Sequence, residues 1–378
     1  MCNKIVVASD SFKGSLTSLQ VAQNVERAVL EACPSCEVVK VNVADGGEGT
    51  MDALQQTLGG RKVTLAVSDP LGRPVDASYV ILDDALTAVL EMSAASGLPL
   101  LTPEERNPSR TSTLGTGELI CDALAHGCRK FLVGIGGSAT NDAGMGMLHA
   151  LGYRFKDAEG NELPPVGGSM IRVASIDASS VNPFLSEVQF IVACDVTAPL
   201  YGPDGAAYVF APQKGADPAM VEALDEGLRH FAAVSAAVMG YDYATMQGSG
   251  AAGGLGYAFR QFLGARLERG VEMVLDAIHF DDIIAGADLV ITGEGRVDSQ
   301  TLTGKTPYGV AQRALRQGIP VVAIGGSVAI DKQQAQLAGF KDAVQVTPEG
   351  MPLQEAMKPE VAAENVYQTI KTLLKNYE

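Results

Sequence analysis

Tryptophan is absent from this 378-residue chain, and histidine occurs only four times. His126, His149, His230 and His279 stand far apart and match no zinc-ligand spacing, so no histidine-built zinc centre is expected. Basic residues are also scarce: 28 Lys and Arg face 44 Asp and Glu, a formal net charge of −16. Such a chain repels nucleic acid and anionic membrane unless a local basic patch intervenes, and its cations are scattered. No apolar run reaches the ~18 residues of a membrane span. The opening MCNKIVVASDS turns polar too soon for a signal peptide. Six cysteines (Cys2, Cys33, Cys36, Cys121, Cys128, Cys194) show no disulfide framework. Cys33-Pro-Ser-Cys36 has C-x-x-C spacing, but it follows a helical pattern and precedes a strand, where a redox pair would open a helix after a strand. It reads as a plain αβ loop in a protein of the reducing cytoplasm. No G-x-S-x-G elbow exists to anchor a hydrolase triad.

What is present is a globular composition, 47% hydrophobic and 19% charged, with 42 glycines for tight loops. The length suggests two domains. Residues 4–9 form a β-branched apolar run. A helix over 16–32 follows, capped by Ser15 or Ser18, then a strand ending at Asp45 and a helix around 49–58. That β-α-β-α order implies a parallel sheet. The period then changes to alternation over 63–67, 75–82 and 87–92, an antiparallel meander. Helices are expected at 116–126, 143–151, 218–239 and 255–277, and strands at 130–135, 153–157 and 189–194. The βα rhythm returns near 288 and runs to a closing helix at 360–376. The expected fold is α/β with two domains. A Rossmann- or flavodoxin-like parallel-sheet domain is built from both chain ends, 1–60 plus 285–378. A mixed α/β domain, 61–284, is inserted between them, and the active site is expected in the cleft between the two.

Ligands of open α/β sheets bind at the carboxyl ends of strands, and five strands end in polar chemistry. Asp10, Ser11 and Lys13 follow the first strand, and Asp45 and Glu48 follow the second. GIGGSATNDAG (134–144) leads from a strand through Gly136 and Gly137 to Ser138, Thr140, Asn141 and Asp142 at a helix start, where amides and the helix dipole favour an anion. Asn141 or Asp142 also serves there as a helix cap. In ACDVTAPLYG, Asp195 ends an apolar strand, and Lys214 lies in the nearby FAPQKGA. TGEGRVDSQTLTGKTP (292–307) crowds Glu294, Arg296, Asp298, Thr303 and Lys305 into one loop between strand and helix. Its Gly-Lys-Thr is not a P-loop, because Ser299 stands where the first glycine belongs. Arg and Lys beside glycines still make a phosphate cradle. GSGAAGGLG (248–256) lacks a preceding strand and reads as a flexible loop.

Taken together, DSFKGSL, ADGGEGT, GIGGSATNDAG, ACDV, FAPQKGA, GAAGGLG and TGEGRVDSQTLTGKTP resemble the bacterial glycerate kinase family, in order from residue 4 to beyond 325. The resemblance implies a cytoplasmic enzyme with two α/β domains that uses ATP and Mg²⁺ to phosphorylate D-glycerate, with the 2-hydroxyl favoured as acceptor. Phosphoryl transfer needs positioning and charge cancellation. Lys13, Lys214, Arg296 and Lys305 are therefore assigned to phosphates or the glycerate carboxylate, with Thr303 and the amides at 136–137 and 293–295, including Gly293 and Gly295. Asp195 and Glu294 are the metal candidates. Asp195 or Asp298 is the base, and Lys13 is counted with them as catalytic. Asp10, Ser11, Asp45, Glu48, Ser138, Thr140, Asn141 and Asp142 bind substrate. A glycerate 3-kinase, a kinase for another small hydroxy acid and a non-catalytic sensor of a small acid remain alternatives. No nucleic-acid or membrane partner is expected.

Overall fold

The computed structural model describes residues 3–47 and 49–375. Its strands in chain order are β1 (Lys4–Ser9), β2 (Glu37–Lys40), β3 (Arg61–Ser68), β4 (Pro74–Ile81), β5 (Thr87–Glu91), β6 (Lys130–Gly134) and β7 (Arg154–Lys156). β8 (Ser175–Asp177), β9 (Gln189–Ala193), β10 (Arg266–Glu268), β11 (Leu289–Val297), β12 (Val321–Val328) and β13 (Asp342–Gln345) complete the set. The chain forms two compact units. Unit 1 is Met1–Asp45, Asp52–Thr57 and Val271–Glu378, and unit 2 is Gly46–Met51 and Leu58–Gly270.

Unit 1 holds a five-stranded sheet in the order β13-β12-β11-β1-β2, with every neighbouring pair parallel. Counted within the unit, that order is the flavodoxin-like 2-1-3-4-5. Its strands are short Val, Ile and Ala runs because both faces are covered. Ile5, Val7, Leu289, Ile291, Val322 and Ile324 face one way. They pack on Val21, Val25 and Val29 of helix Ser18–Ala32 and on Val366 and Ile370 of helix Pro359–Lys375. Each such side chain contributes roughly 1.5–3 kcal/mol by leaving water. The alternate residues Val6, Val290 and Ala323 are buried on the other face, and helix Thr306–Arg316 packs on β11, β12 and β1. Thr17, not Ser15 or Ser18, caps the first helix. Its hydroxyl accepts from Gln20 N–H while the Gln20 side chain accepts from Thr17 N–H, a reciprocal box that neither serine is placed to form.

The junction of the units near residue 270 lies ahead of position 285. Arg313 gives the reason. Its guanidinium, on a side chain only 10% exposed, bonds Glu272, Asp276 and Asp281. This clip fixes helices Gly270–Ala277 and Phe280–Ile284 to helix Thr306–Arg316.

Unit 2 holds a six-stranded mixed sheet, β10-β9-β6-β5-β4-β3. β3-β4-β5 is the antiparallel meander, and the remaining pairs are parallel. The single helix expected over 255–277 is three elements. Helix Ala251–Leu263 ends at Gly264, whose φ of 62° turns the chain left-handed; β10 then pairs with β9, and a new helix starts at Gly270. The glycine run at the start of helix Ala251–Leu263 is not a free loop. Ala252, Gly253 and Gly254 all have positive φ, and a Cβ on Gly253 would stand 2.0 Å from the Thr140 carbonyl oxygen. The run is small so that it can press against residues 140–143, where Ala143 N–H donates to the Gly253 carbonyl. Gly253→Ala should therefore lower the thermal midpoint by an amount matching at least ~2 kcal/mol, from positive φ plus backbone overlap. An unchanged melting curve would show that the contact yields freely.

Candidate functional site

Parallel pairing places the ends of β1, β2 and β11 on one edge of the unit 1 sheet. The register is tight: Ser9 sits opposite Gly293, and Asp10 N–H donates to the Gly293 carbonyl at 2.9 Å. β11 runs on to Val297, so Glu294 and Arg296 belong to the strand and not to a loop, and they pair with Gly325 and Ser327 of β12. Here the sheet edge opens into a cavity of about 880 Å³. Asp10, Ser11, Lys13, Asp45, Glu294, Gly295, Arg296, Asp298 and Lys305 line it. Sequence segments nearly 300 residues apart thus meet in one place. Two expected members do not line it. Gly293 is locked in the ladder, where a Cβ would stand 2.4 Å from the Ile324 carbonyl oxygen. Thr303 points its hydroxyl to the Gln300 carbonyl. Glu48 lies outside the described residues.

The cavity carries charges of both signs. Asp10 accepts from Ser11 N–H at 2.6 Å and from the Thr306 hydroxyl at 3.1 Å. Burial, and then the neighbouring Asp45, push its carboxyl above the ordinary value. Glu294 accepts from the Thr301 hydroxyl at 2.5 Å and lies 3.6 Å from the Lys305 ammonium. Burial raises it too, and Asp10 adds to the rise. Arg296 is paired with Asp298 at 3.2 Å, yet its side chain remains 68% exposed. Lys13 is exposed. The result is a partly desolvated acid pair flanked by Lys13, Arg296 and Lys305, an arrangement suited to a polyanion that arrives with its own counter-ion.

The other expected residues lie in unit 2. Lys214 is buried and donates to the Ser138 hydroxyl and the Thr140 carbonyl, both at 2.7 Å. Asp142 is fully buried and already satisfied: Thr113 N–H, the Thr113 hydroxyl, Gly144 N–H and Gly146 N–H all donate to it. The helix that follows spans only Met145–Ala150, and its leading amides are taken by Asp142 and Thr113. The anion cradle expected at its start is therefore occupied by the chain's own oxygens. Gly136 and Gly137 are exposed. The Thr140 hydroxyl and both amide atoms of Asn141 are buried with no hydrogen-bond partner. Asp195 is exposed at the end of β9 and accepts from Gly270 N–H at 3.2 Å.

A model of the glycerate kinase family matches residues 5–378. A glycerate kinase of Bacillus subtilis (strain 168) is 46% identical over 98% of this chain and 96% of its own. A glycerate 2-kinase of Escherichia coli (strain K12) is 47% identical over 87% of this chain and 86% of its own. A crystal structure described as "putative glycerate kinase 2" from Salmonella typhimurium LT2 superposes with a TM-score of 0.91 at 44% identity, covering 100% of this chain and 98% of that one. The chain belongs to the glycerate kinase family. It is an enzyme of the phosphotransferase class.

For a glycerate kinase family member the metal question can be put to the site itself. Among the described residues, no three His, Cys, Asp or Glu side chains gather to hold an ion alone. Mg²⁺ in phosphoryl transfer needs only one or two carboxylates, since phosphates and water fill the rest of its shell. Asp10 and Glu294 fit that pattern, with Asp45 adding negative charge beside Asp10 and Asp10 adding it beside Glu294. A cation there would relieve it. Asp195, the other metal candidate, belongs to unit 2.

Sequence reasoning missed Thr301 and Thr306, the hydroxyls that orient Glu294 and Asp10. Nothing in their local pattern distinguishes them from a loop residue and a helix-start residue. It also missed the part of the cavity lining that follows β13, including Val346, Met351, Leu353, Met357 and Asn365.

Lys214 offers a check on the unit 2 geometry. Burial lowers its ammonium to about 7, with Asp142 opposing. From pH 7 up to its unfolded value near ~10.4, the unfolded chain holds a proton that the folded one has released. The penalty is therefore full below pH 7 and fades as pH rises through that window. Comparing thermal midpoints of the parent and Lys214→Met at several pH values should show the parent gaining on the variant from pH 6.5 to 9. A pH-independent gap would mean the ammonium is not desolvated.

Proposed function

We propose that the chain transfers the γ-phosphoryl group of ATP to D-glycerate, at the 2-hydroxyl, giving 2-phospho-D-glycerate and ADP. The observation that carries this is the unit 1 cavity, where an acid with a raised pKa and three cations converge at the strand ends. The name of the Escherichia coli relative supports the 2-position. Free thiols at Cys121, Cys128 and Cys194 accord with the cytoplasm as its compartment.

Roles follow from charge and partners. Lys305 and Arg296, with the backbone of Gly295, hold the nucleotide phosphates. Lys13, exposed in the same cavity, neutralises the moving phosphoryl group or the glycerate carboxylate. Asp45 and Ser11 take hydroxyls of glycerate. Asp10 accepts the proton of the attacking hydroxyl as its oxygen bonds phosphorus and the bond to ADP breaks. Asp10 has acceptor capacity to spare, since only Ser11 N–H and the Thr306 hydroxyl donate to it. Asp298 is less suited, being engaged with Arg296 and with Gln300 N–H. Asp195 is assigned to its turn, where it holds Gly270 N–H. Mg²⁺, held by Glu294 with Asp10 nearby, would supply charge neutralisation on the phosphates. Lys214, Ser138, Thr140 and Asn141 form a second polar set able to receive a small acid, with Gly136 and Gly137 beside it; Asp142 positions their loop.

ADP release measured with D-glycerate, L-glycerate and other small hydroxy acids should favour D-glycerate, and NMR of the product should place phosphate on the 2-oxygen. A preference for another acid, or phosphate on the 3-oxygen, would replace the substrate or product named here. Asp10→Asn should lower kcat by at least ~10²-fold, with the melting curve kept and Asp298→Asn affected far less. The reverse order would return the base to Asp298.

A further inference from the structure

On the reading above, glycerate and a triphosphate tail engage the charged residues of the unit 1 cavity, Asp10 to Lys13, Asp45 and 294–305. About 880 Å³ lies well up the range of small-molecule sites, far more than a three-carbon acid fills. The lining that follows β13 is chemically different. Val346 is buried at its base. Met351, Leu353 and Met357 form the wall, with Leu353 74% and Met357 38% exposed. Single exposed apolar side chains need no explanation, but these face into one concavity that the charged residues also line. The wall is continuous with the phosphate end. Gly14, in the same turn as Lys13, lies so close to Met357 that a Cβ there would stand 3.0 Å from its methyl carbon.

The polar side chains here are Thr347, Asn365 and Gln345, the last already engaged with Val328 N–H and the Thr347 carbonyl. The Asn365 amide has one partner, the Met351 thioether at 3.6 Å, which is a weak acceptor. Its carbonyl oxygen is left for a ligand. Flexible thioethers favour an aromatic ring, and an asparagine carboxamide matches the amino group and adjacent ring nitrogen of adenine, one donor to one acceptor. We infer that this wall receives the purine base of the nucleoside triphosphate, stacked on Met351, Leu353 and Met357, and that Asn365 selects adenine over guanine. The inference rests on the nucleotide reading above and adds the base subsite and its specificity.

Asn365→Asp tests it. A carboxylate only accepts, so it loses the adenine ring nitrogen and gains the two N–H donors of guanine. The ratio of kcat/KM for ATP to that for GTP should fall on the order of tenfold, with KM for glycerate unchanged. Leu353→Asp should raise the Kd of ATP several-fold while leaving the Kd of inorganic tripolyphosphate unaltered. An ATP-to-GTP ratio within twofold of the parent, or equal losses for ATP and tripolyphosphate, would overturn the base subsite. Lys305→Met separates the two levels of the argument. If it raises the Kd of ATP while the Asn365 and Leu353 variants do not, the base lies elsewhere and the phosphate site stands. If none of the three changes nucleotide binding, the nucleotide reading of this cavity falls as well.

Discussion

The register between β1 and β11 is the constraint on which the site depends. β1 feeds helix Ser18–Ala32 on one face of the sheet, and β11 feeds helix Thr306–Arg316, packed on the other. Their connections diverge, so a crevice opens where the two strands end. The pairing of Ser9 with Gly293 then decides which side chains border it. Asp10 and Glu294 follow that pair by one residue each. A slip of one position would turn each strand's side chains to the opposite face, and Gly293 helps forbid it. Any side chain there would collide with the Ile324 carbonyl on β12. The chemistry is therefore set by a ladder of backbone hydrogen bonds between segments from opposite ends of the chain.

That constraint brings carboxylates together in a chain already at −16. Two half-buried acids in one crevice are unfavourable on their own, and the local structure limits the cost. Ser11 and Thr306 donate to Asp10, Thr301 donates to Glu294, and Lys305 stands beside Glu294. The compensation is incomplete, since both carboxyls remain above their ordinary values. An imperfectly neutralised pair next to cations is what a ligand with its own metal and its own negative charge would complete. The Arg313 clip is the opposite case. There one guanidinium bonds all three carboxylates directly, at 2.5 to 2.8 Å, and the cluster ties helices together.

Much of this was legible in the sequence for a definite physical reason. A buried parallel strand is an apolar run, and polar residues at its end have nowhere to be except the sheet edge. Hence β1, β11 and the clusters around Asp10 and Glu294 stood out, and the switch from βα rhythm to alternation marked β3-β4-β5. Length and partnership were less legible. Nothing local says that β11 continues through Gly293-Glu294-Gly295-Arg296, because its last residues pair with a strand about thirty positions on. Nothing in a helical pattern over 255–277 shows that Gly264 breaks it. The run at 248–256 looked mobile because glycine permits motion, yet it also permits contact, and contact with residues 140–143 prevailed. The apolar wall at 346–365 was invisible because valine, leucine and methionine in such a segment look like ordinary core.

The contrast between Asp10 and Asp142 shows what sequence position alone misses. Both are aspartates that follow a buried strand and precede a helix, and both rise in pKa through burial. Their donors differ. Asp142 receives four hydrogen bonds from its own unit and opens onto no described cavity residue. Its lone pairs are spent on holding Thr113 and the start of helix Met145–Ala150 in place. Asp10 receives two, has a second carboxylate for a neighbour and borders the cavity. An acid with spare acceptor capacity and an unfavourable charge beside it gains more from a proton or a cation than one already saturated. The count of donors around each carboxylate, rather than its place in a motif, separates the group that organises the scaffold from the group able to take part in proton transfer.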